Sequence, residues 1–280
     1  MTAPTSLPDF PVTTHTTPLP VAFTVPPVNP TAYGLYGAVG TWQPDDSQRW
    51  RHGVDFRPVG NYGGAGSFGV WNAPWCVSPD DLGPDDIKTG TRPAGLDPFE
   101  PVVVWAYDEC DLTEPSRAEV QARAAQVLRL EEQVAVEREL AGRLLLDAAE
   151  LPGGIGTAAD LTAAVAHLEA AAALTNTTVY FHVGAQWVSQ VTSAGQLFRK
   201  SGTTWTSPLG NVWIVGGGYV DGLEDHIVAT SAPYGWRDEP QVRTAIDERA
   251  NTFAAVAERT VLVGYEALVA AVQIVPVVTP

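Results

Sequence analysis

The segment from Ser116 to Ala149 constrains this chain most. Apolar residues recur at Val120, Ala124, Val127, Leu128, Val134, Leu140 and Leu144 with helical spacing. Ser116-Arg117-Ala118-Glu119 has the order of a capping box, so one helix is predicted from Ser116 to Ala149. At 1.5 Å per residue it spans roughly 50 Å, several turns beyond the mean globular helix. Glu139 and Arg143, one turn apart, support its surface. Such a helix acts as a rod, and the rest of the chain has to be arranged along it.

What precedes the rod cannot fold alone. Residues 1–30 carry eight prolines, which remove backbone donors and favour extended chain. Phe10, Val12, Leu19, Val21, Phe23 and Val25 are more apolar side chains than a solvating tail needs, and an arm lying on a neighbouring subunit would use them. From Ala32 to about Pro98 the sequence is rich in Gly, Trp and Tyr. Trp50 to Phe56 alternates like a strand, and Asn61 to Gly66 reads as a loop. Trp42, Trp50, Trp71 and Trp75 are assigned to packing rather than to a sugar platform. The acidic run Asp80 to Asp86 lacks the ligand order of a calcium loop and reads as solvated.

Pro101 to Tyr107 has the pattern of a short buried strand. After the break at Gly153-Gly154, Thr157-Ala158-Ala159-Asp160 opens a second helix with Leu161, Val165, Leu168 and Ala172 on one face. Strands follow at Thr178 to Val183 and Asn211 to Val215, with a short helix at Gly184 to Ala194 and a hairpin at Leu197 to Ser207. His226 to Pro280 reads as strands separated by a turn around Pro233 and Gly235. The apolar run Thr260 to Val278 contains Glu266 and Gln273 and is β-branched, so a strand or strand pair is preferred over a membrane span. The order of elements indicates an α/β or α+β domain, and with the resemblance given below the fold class is α+β.

Composition narrows function. A formal charge of −16 with only 16 Lys and Arg in 280 residues disfavours a dedicated nucleic-acid binder, although a container can enclose DNA without gripping it. Cys76 and Cys110 give neither a disulfide framework nor a zinc site. The start of the chain lacks the basic and apolar regions of a secretory signal, so cytoplasmic synthesis is expected. No phosphate loop or nucleophile elbow occurs, Gly216-Gly217-Gly218 opens no evident helix, and His15, His52, His167, His182 and His226 are scattered. No catalytic residue, cofactor or metal is expected, and the chain reads as a non-enzyme.

The block Thr178 to Ala271 resembles the C-terminal half of tailed-phage major capsid proteins, especially those of phages of actinobacteria. The residues that carry the resemblance are Thr178-Val179-Tyr180-Phe181-His182-Val183, Leu209 to Tyr219, Ile227-Val228-Ala229-Thr230 and Arg249 to Tyr265. The resemblance implies the fold named for the phage Hong Kong 97: an extended N-terminal arm (1–45), an E-loop β-hairpin region (46–100), a strand and spine helix of the peripheral domain (101–156), a mainly axial domain (157–235) and return strands of both (236–280). It implies a structural subunit that self-assembles into hexamers and pentamers of an icosahedral head in the host bacterial cytoplasm. Its partners would be itself, a scaffold, a portal and decoration proteins, with DNA enclosed without sequence-specific binding and no membrane. Candidate inter-subunit contacts are Phe10, Phe23, Trp50, Phe56, Tyr62, Phe68 and Trp71. Some family members crosslink a lysine to an asparagine; Lys88 and Lys200 are the lysines here, and an exposed lysine is the reading taken for Lys88. Alternative readings are a minor capsid, decoration or tail protein, an encapsulin-like shell, and a carbohydrate-binding protein or glycosidase.

Overall fold

The computed structural model describes residues 21, 23–44, 47–92, 94–191, 197–202 and 204–275. Phe10 lies outside them. The long helix forms as the spacing predicts, ending at Ala149 as expected and starting two residues earlier, at Glu114. α1 is a short helix, Leu35–Val39, and α2 runs Glu114–Ala149, preceded by strand β1, Val102–Asp111. The expected capping box is not made. Thr113 occupies the N-cap without a side-chain cap, and Pro115 sits in the first turn, where its missing N–H costs nothing. Ser116 is already inside the helix, and its hydroxyl oxygen accepts from Thr113 Oγ1 at 2.9 Å.

Burial along α2 follows a row of one residue in every four, Val120, Ala124, Leu128, Glu132, Val136, Leu140, Leu144 and Ala148, with Glu137 and Ala141 buried beside it. Four residues turn 400°, so the buried row drifts about 40° at each step and winds around the helix. One helix can thereby serve two sheets. It lies along the sheet formed by β1 with the later strands β8 (Pro233–Arg237), β9 (Gln241–Asp247) and β10 (Thr252–Tyr265), from Arg117 beside Phe253 to Asp147 beside Tyr265, and it also touches strands of a second sheet. The fourteen-residue β10 is the centre of that sheet. It pairs antiparallel with β1 along one side, and with β9 and then β8 along the other.

The second sheet holds seven strands: β2 (Gly156–Ala158), β3 (Tyr180–Gly184), β4 (Arg199–Ser201), β5 (Thr204–Thr206), β6 (Val212–Gly216), β7 (His226–Thr230) and β11 (Leu268–Ile274), in the order β2-β11-β7-β3-β6-β5-β4. Helix α3, Leu161–Thr175, covers one face with Leu161, Val165 and Leu168. Its cap is Asp160, whose carboxylate accepts the N–H of Ala163 at 2.8 Å. Thr157, expected to open this helix, lies in β2 instead. A last short helix, α4 (Tyr219–Gly222), rests on the middle of α2.

Three expectations need correction. Trp50 to Phe56 is not a strand: Arg49–His52 form a 3-10 turn, and Val54 makes one isolated bridge to Phe99. The turn expected at Pro233 and Gly235 is β8 itself. Proline is tolerated there as the first residue of the strand, and a side chain on Gly235 would stand 2.6 Å from the Trp42 ring. Third, no strand pair forms among the described residues between 47 and 98, where 3-10 turns at Ala65–Ser67, Pro79–Asp81 and Pro84–Asp86 occur instead. The E-loop hairpin is therefore absent from the isolated chain's described residues, in keeping with the marginal stability of a lone two-stranded ribbon. The apolar run at the C-terminal end resolves into the end of β10, a turn at Glu266, and β11.

Candidate assembly surfaces

The residues named from the sequence divide by exposure. Trp50, 5% exposed, sits in the chain's own core. Phe56 packs edge-on to Phe99 and Trp236, with centroids 5.1 and 5.9 Å away. Tyr62 accepts the N–H of Ala232 through its hydroxyl at 3.2 Å. Phe23 and Phe68 stand out at 79% and 82% exposed. Trp71 is half exposed; its indole N–H donates to the carbonyl of Asp86 at 3.0 Å, and the Lys88 ammonium lies 5.0 Å from its ring. Val70 and Trp75 flank it with little of their surface covered.

A further apolar surface was not distinguished in the sequence. β1 reads as continuously apolar, yet only one of its faces meets α2. Val104 and Ala106 point into the core, while Val103, Trp105 and Tyr107 emerge on the other face, Trp105 at 67% exposed. Their cross-strand partners there are Thr260, Glu258 and Val256. Alternate side chains of a strand face opposite ways, so a strand apolar throughout with one covered face leaves a stripe for something else to cover.

Two buried carboxylates on α2 hold the surrounding segments. Glu132 accepts two hydrogen bonds from Arg259 Nη1, at 3.1 and 3.2 Å, and one from the Tyr36 hydroxyl at 2.7 Å. That tyrosine is pushed far above its ordinary range by burial and by Glu132. Glu137, fully buried, accepts from the backbone N–H of Leu35 (3.0 Å) and Gly218 (2.9 Å) and from the Gln133 amide (2.9 Å). Gly218 is required by proximity: a side chain there would lie 2.1 Å from the carbonyl oxygen of Val134. The glycine triplet is thus a close crossing of α2. Nearer the C-terminal end of α2, Arg143 pairs with Asp147 at 2.7 Å rather than with Glu139, and Asp147 also accepts from Tyr265 at 2.6 Å. Arg143 donates to the carbonyls of Asp97 and Pro98, strapping 97–99 to the helix. Glu266 holds the next stretch through Val59 N (2.9 Å) and Asn61 Nδ2 (2.7 Å).

His182 is enclosed in the seven-stranded sheet between Tyr219 and Thr230, 2.8 Å from each hydroxyl. Thr230 gives its only hydroxyl proton to the Ser231 carbonyl, so it accepts from Nε2–H; Nδ1 is then the acceptor of the Tyr219 proton. Burial lowers the imidazole to about 3, which keeps it neutral. Its place is inside a closed network, and among the described residues no three His, Cys, Asp or Glu side chains gather where they could hold a metal ion.

The arrangement of a spine helix between two sheets has relatives among solved structures. The capsid of an empty GTA particle matches 91% of this chain and 93% of its own at 11% identity, with a TM-score of 0.51. This is the Hong Kong 97 type capsid fold. Other structures similar to this capsid fold include Mycobacterium phage Che8, at 15% identity over 61% of this chain and 70% of its own, TM-score 0.41. An encapsulin complex from Synechococcus elongatus PCC 7942 matches at 12% identity over 65% of this chain and 77% of its own, TM-score 0.44. No protein-family model matches the chain, and no curated protein matches it.

Proposed function

We propose that the chain is a major capsid subunit that self-assembles through hexamers and pentamers into the head shell of a tailed phage. The observation that carries this reading is the capsid fold extending over nearly the whole chain, 91% of it. The exposed apolar side chains agree with it. Phe23, Phe68, Val70 and Trp75, with the β1 stripe of Val103, Trp105 and Tyr107, are large hydrophobics left uncovered in an otherwise well-packed protein. Surfaces of this kind mark contacts to other chains.

In this reading the four-stranded sheet with α2 belongs to the peripheral domain and the seven-stranded sheet with α3 to the axial domain. Residues 1–45 are the arm, and 46–100 form the loop whose strand pairing a neighbour completes. Phe10, Phe23, Phe68 and Trp71 are the contacts kept from the sequence reading; Trp50, Phe56 and Tyr62 support them from within the protomer. The role is structural, with scaffold, portal and decoration proteins as further partners. The acidic chain encloses DNA with little attraction for it, so packaged DNA slides. Assembly would take place in the host bacterial cytoplasm; among the described residues no helix is long and apolar enough to cross a membrane.

Mass photometry of the purified chain tests this directly. Species of five or six copies, or closed shells, are expected, and a double substitution Phe68→Ser, Trp75→Ser should return the chain to a folded monomer. A wild-type chain that stays monomeric with or without scaffold would overturn the proposal.

A further inference from the structure

β1 leaves one edge of its sheet open. It pairs with β10 along one side through ten residues of unbroken register, and among the described residues no strand pairs with its other side. From Val102 to Tyr107 that edge has no charge, no proline and no bulge, the devices that ordinarily keep a strand from recruiting another. A groove of about 230 Å³ runs beside it, between Val102 to Trp105 and the α2 residues Glu131, Ala135 and Glu139. The two glutamates disfavour an acidic occupant. On the outer face the stripe of Val103, Trp105 and Tyr107 spans five residues, with Trp105 at its centre. A strand of the same length is encoded near the start of the chain. Val21, Phe23 and Val25 recur with the two-residue period of a strand, and all three are exposed. Pro20 and Pro26 bound the run at five residues, an ordinary strand length, and no Asp or Glu occurs from Phe10 to Ala32.

We propose that residues 21–25 of a second copy of this chain add as a strand to the open edge of β1, with Phe23 beside Trp105. The proposal rests on the reading that copies of the chain meet. Main-chain groups along the edge gain partners, and Val21, Phe23 and Val25 widen the stripe. Phe23 and Trp105 are each the middle residue of their run, so they are neighbours whether the added strand lies parallel or antiparallel. The occupant comes from another copy because a chain's own segment is tied elsewhere. The Val28 carbonyl accepts from Gln126 (2.8 Å) and Arg129 (2.6 Å), and Asn29 Oδ1 accepts from Arg129 at 2.8 Å. Gln126 lies about 160° around α2 from the buried Ala124 and Leu128, on the side turned away from the sheet. Phe23, five residues before Val28, has at most about 18 Å of chain. To reach the outer face of β1 it would have to round a helix 10–12 Å across and then pass the sheet. A second β1 is the poorer occupant, since it brings Asp108 and Glu109 toward Glu131 and Glu139.

Disulfide trapping on the full chain tests it, with Cys76→Ser and Cys110→Ser as background and hydrogen exchange of the wild type beside it. Chains carrying Phe23→Cys, mixed before assembly with chains carrying Trp105→Cys, should form a disulfide between unlike copies under mild oxidation, because directly opposed strand residues lie within disulfide reach. In assembled wild-type chain the amides of 21–25, exposed in the single chain, should exchange far below the unprotected rate. A disulfide between two Trp105→Cys chains would show β1 joined to β1 and overturn the proposal. So would a chain carrying both cysteines that links them within itself. Wild-type assemblies that form with 21–25 unprotected and no link between unlike copies would remove the strand pairing and leave the shell reading standing. A wild-type chain that never assembles would overturn both.

Discussion

His182 shows how much one buried side chain can set. Its folded form refuses a proton down to about pH 3, while in the unfolded chain an imidazole takes one near pH 6.5. A base whose folded affinity is lowered contributes stability that is complete above the unfolded value and is lost as pH falls toward the folded one. Urea unfolding between pH 6.5 and 4 should therefore show a falling stability of about 1 kcal/mol per pH unit from this residue. His182→Gln should be weaker at pH 7, because Tyr219 and Thr230 lose partners, yet show a shallower slope. Parallel slopes for the two proteins would contradict the assignment. Glu132 makes the second case. Removing its charge in Glu132→Gln strands the nearly buried Arg259, and breaking such a pair costs about 3–5 kcal/mol. Glu119→Gln, at the exposed 3.9 Å bridge to Arg123, should leave the unfolding midpoint where it is. Neither buried carboxylate was legible in the sequence, since a glutamate on a helix is ordinarily solvated. Glu132 did leave a trace: it falls in the every-fourth row from Val120 to Ala148, a position that sequence reading assigns to the core if charge is ignored.

At the scale of elements, α2 and α3 were readable from the spacing of their buried positions, and β3, β6 and β7 from short continuous apolar runs, because those strands are buried on both faces. The failures came where a neighbour overrode local preference. Alternation from Trp50 to Phe56 looked like a strand, but Trp50 is taken up by the core and the segment coils around it. Pro233 and Gly235 looked like a turn, but Gly235 is a strand residue whose missing side chain makes room for Trp42. Gly235→Ala should force the indole aside and cost about 1–3 kcal/mol, seen as a lower midpoint of thermal unfolding with a shift in tryptophan emission. An unchanged midpoint and spectrum would show that Trp42 is not seated there. β1 was misread for a related reason: a strand apolar on both faces reads as fully buried, and only the placement of α2 reveals which face stays open.

Taken as a whole molecule, the order of elements carried the fold: a proline-rich beginning, a glycine- and tryptophan-rich stretch, a long helix, and a sheet that closes with the C-terminal strands. What the sequence could not supply is the conformation between 47 and 98, because among the described residues Phe68, Val70 and Trp75 are left uncovered and no buried face sets a pattern there. Substituting serine for Trp105 should leave the denaturation midpoint within about 0.5 kcal/mol of the parent, as surface changes do, while weakening association between copies. Loss of folding instead would place that indole in the protomer's own stability. The central claim is that these open surfaces exist to meet copies of the same chain. Negative-stain electron microscopy of the purified protein after size-exclusion chromatography tests it most directly. Closed shells, or rings of five or six subunits, are the expected result; isolated monomers or trimers under every salt and scaffold condition would contradict it.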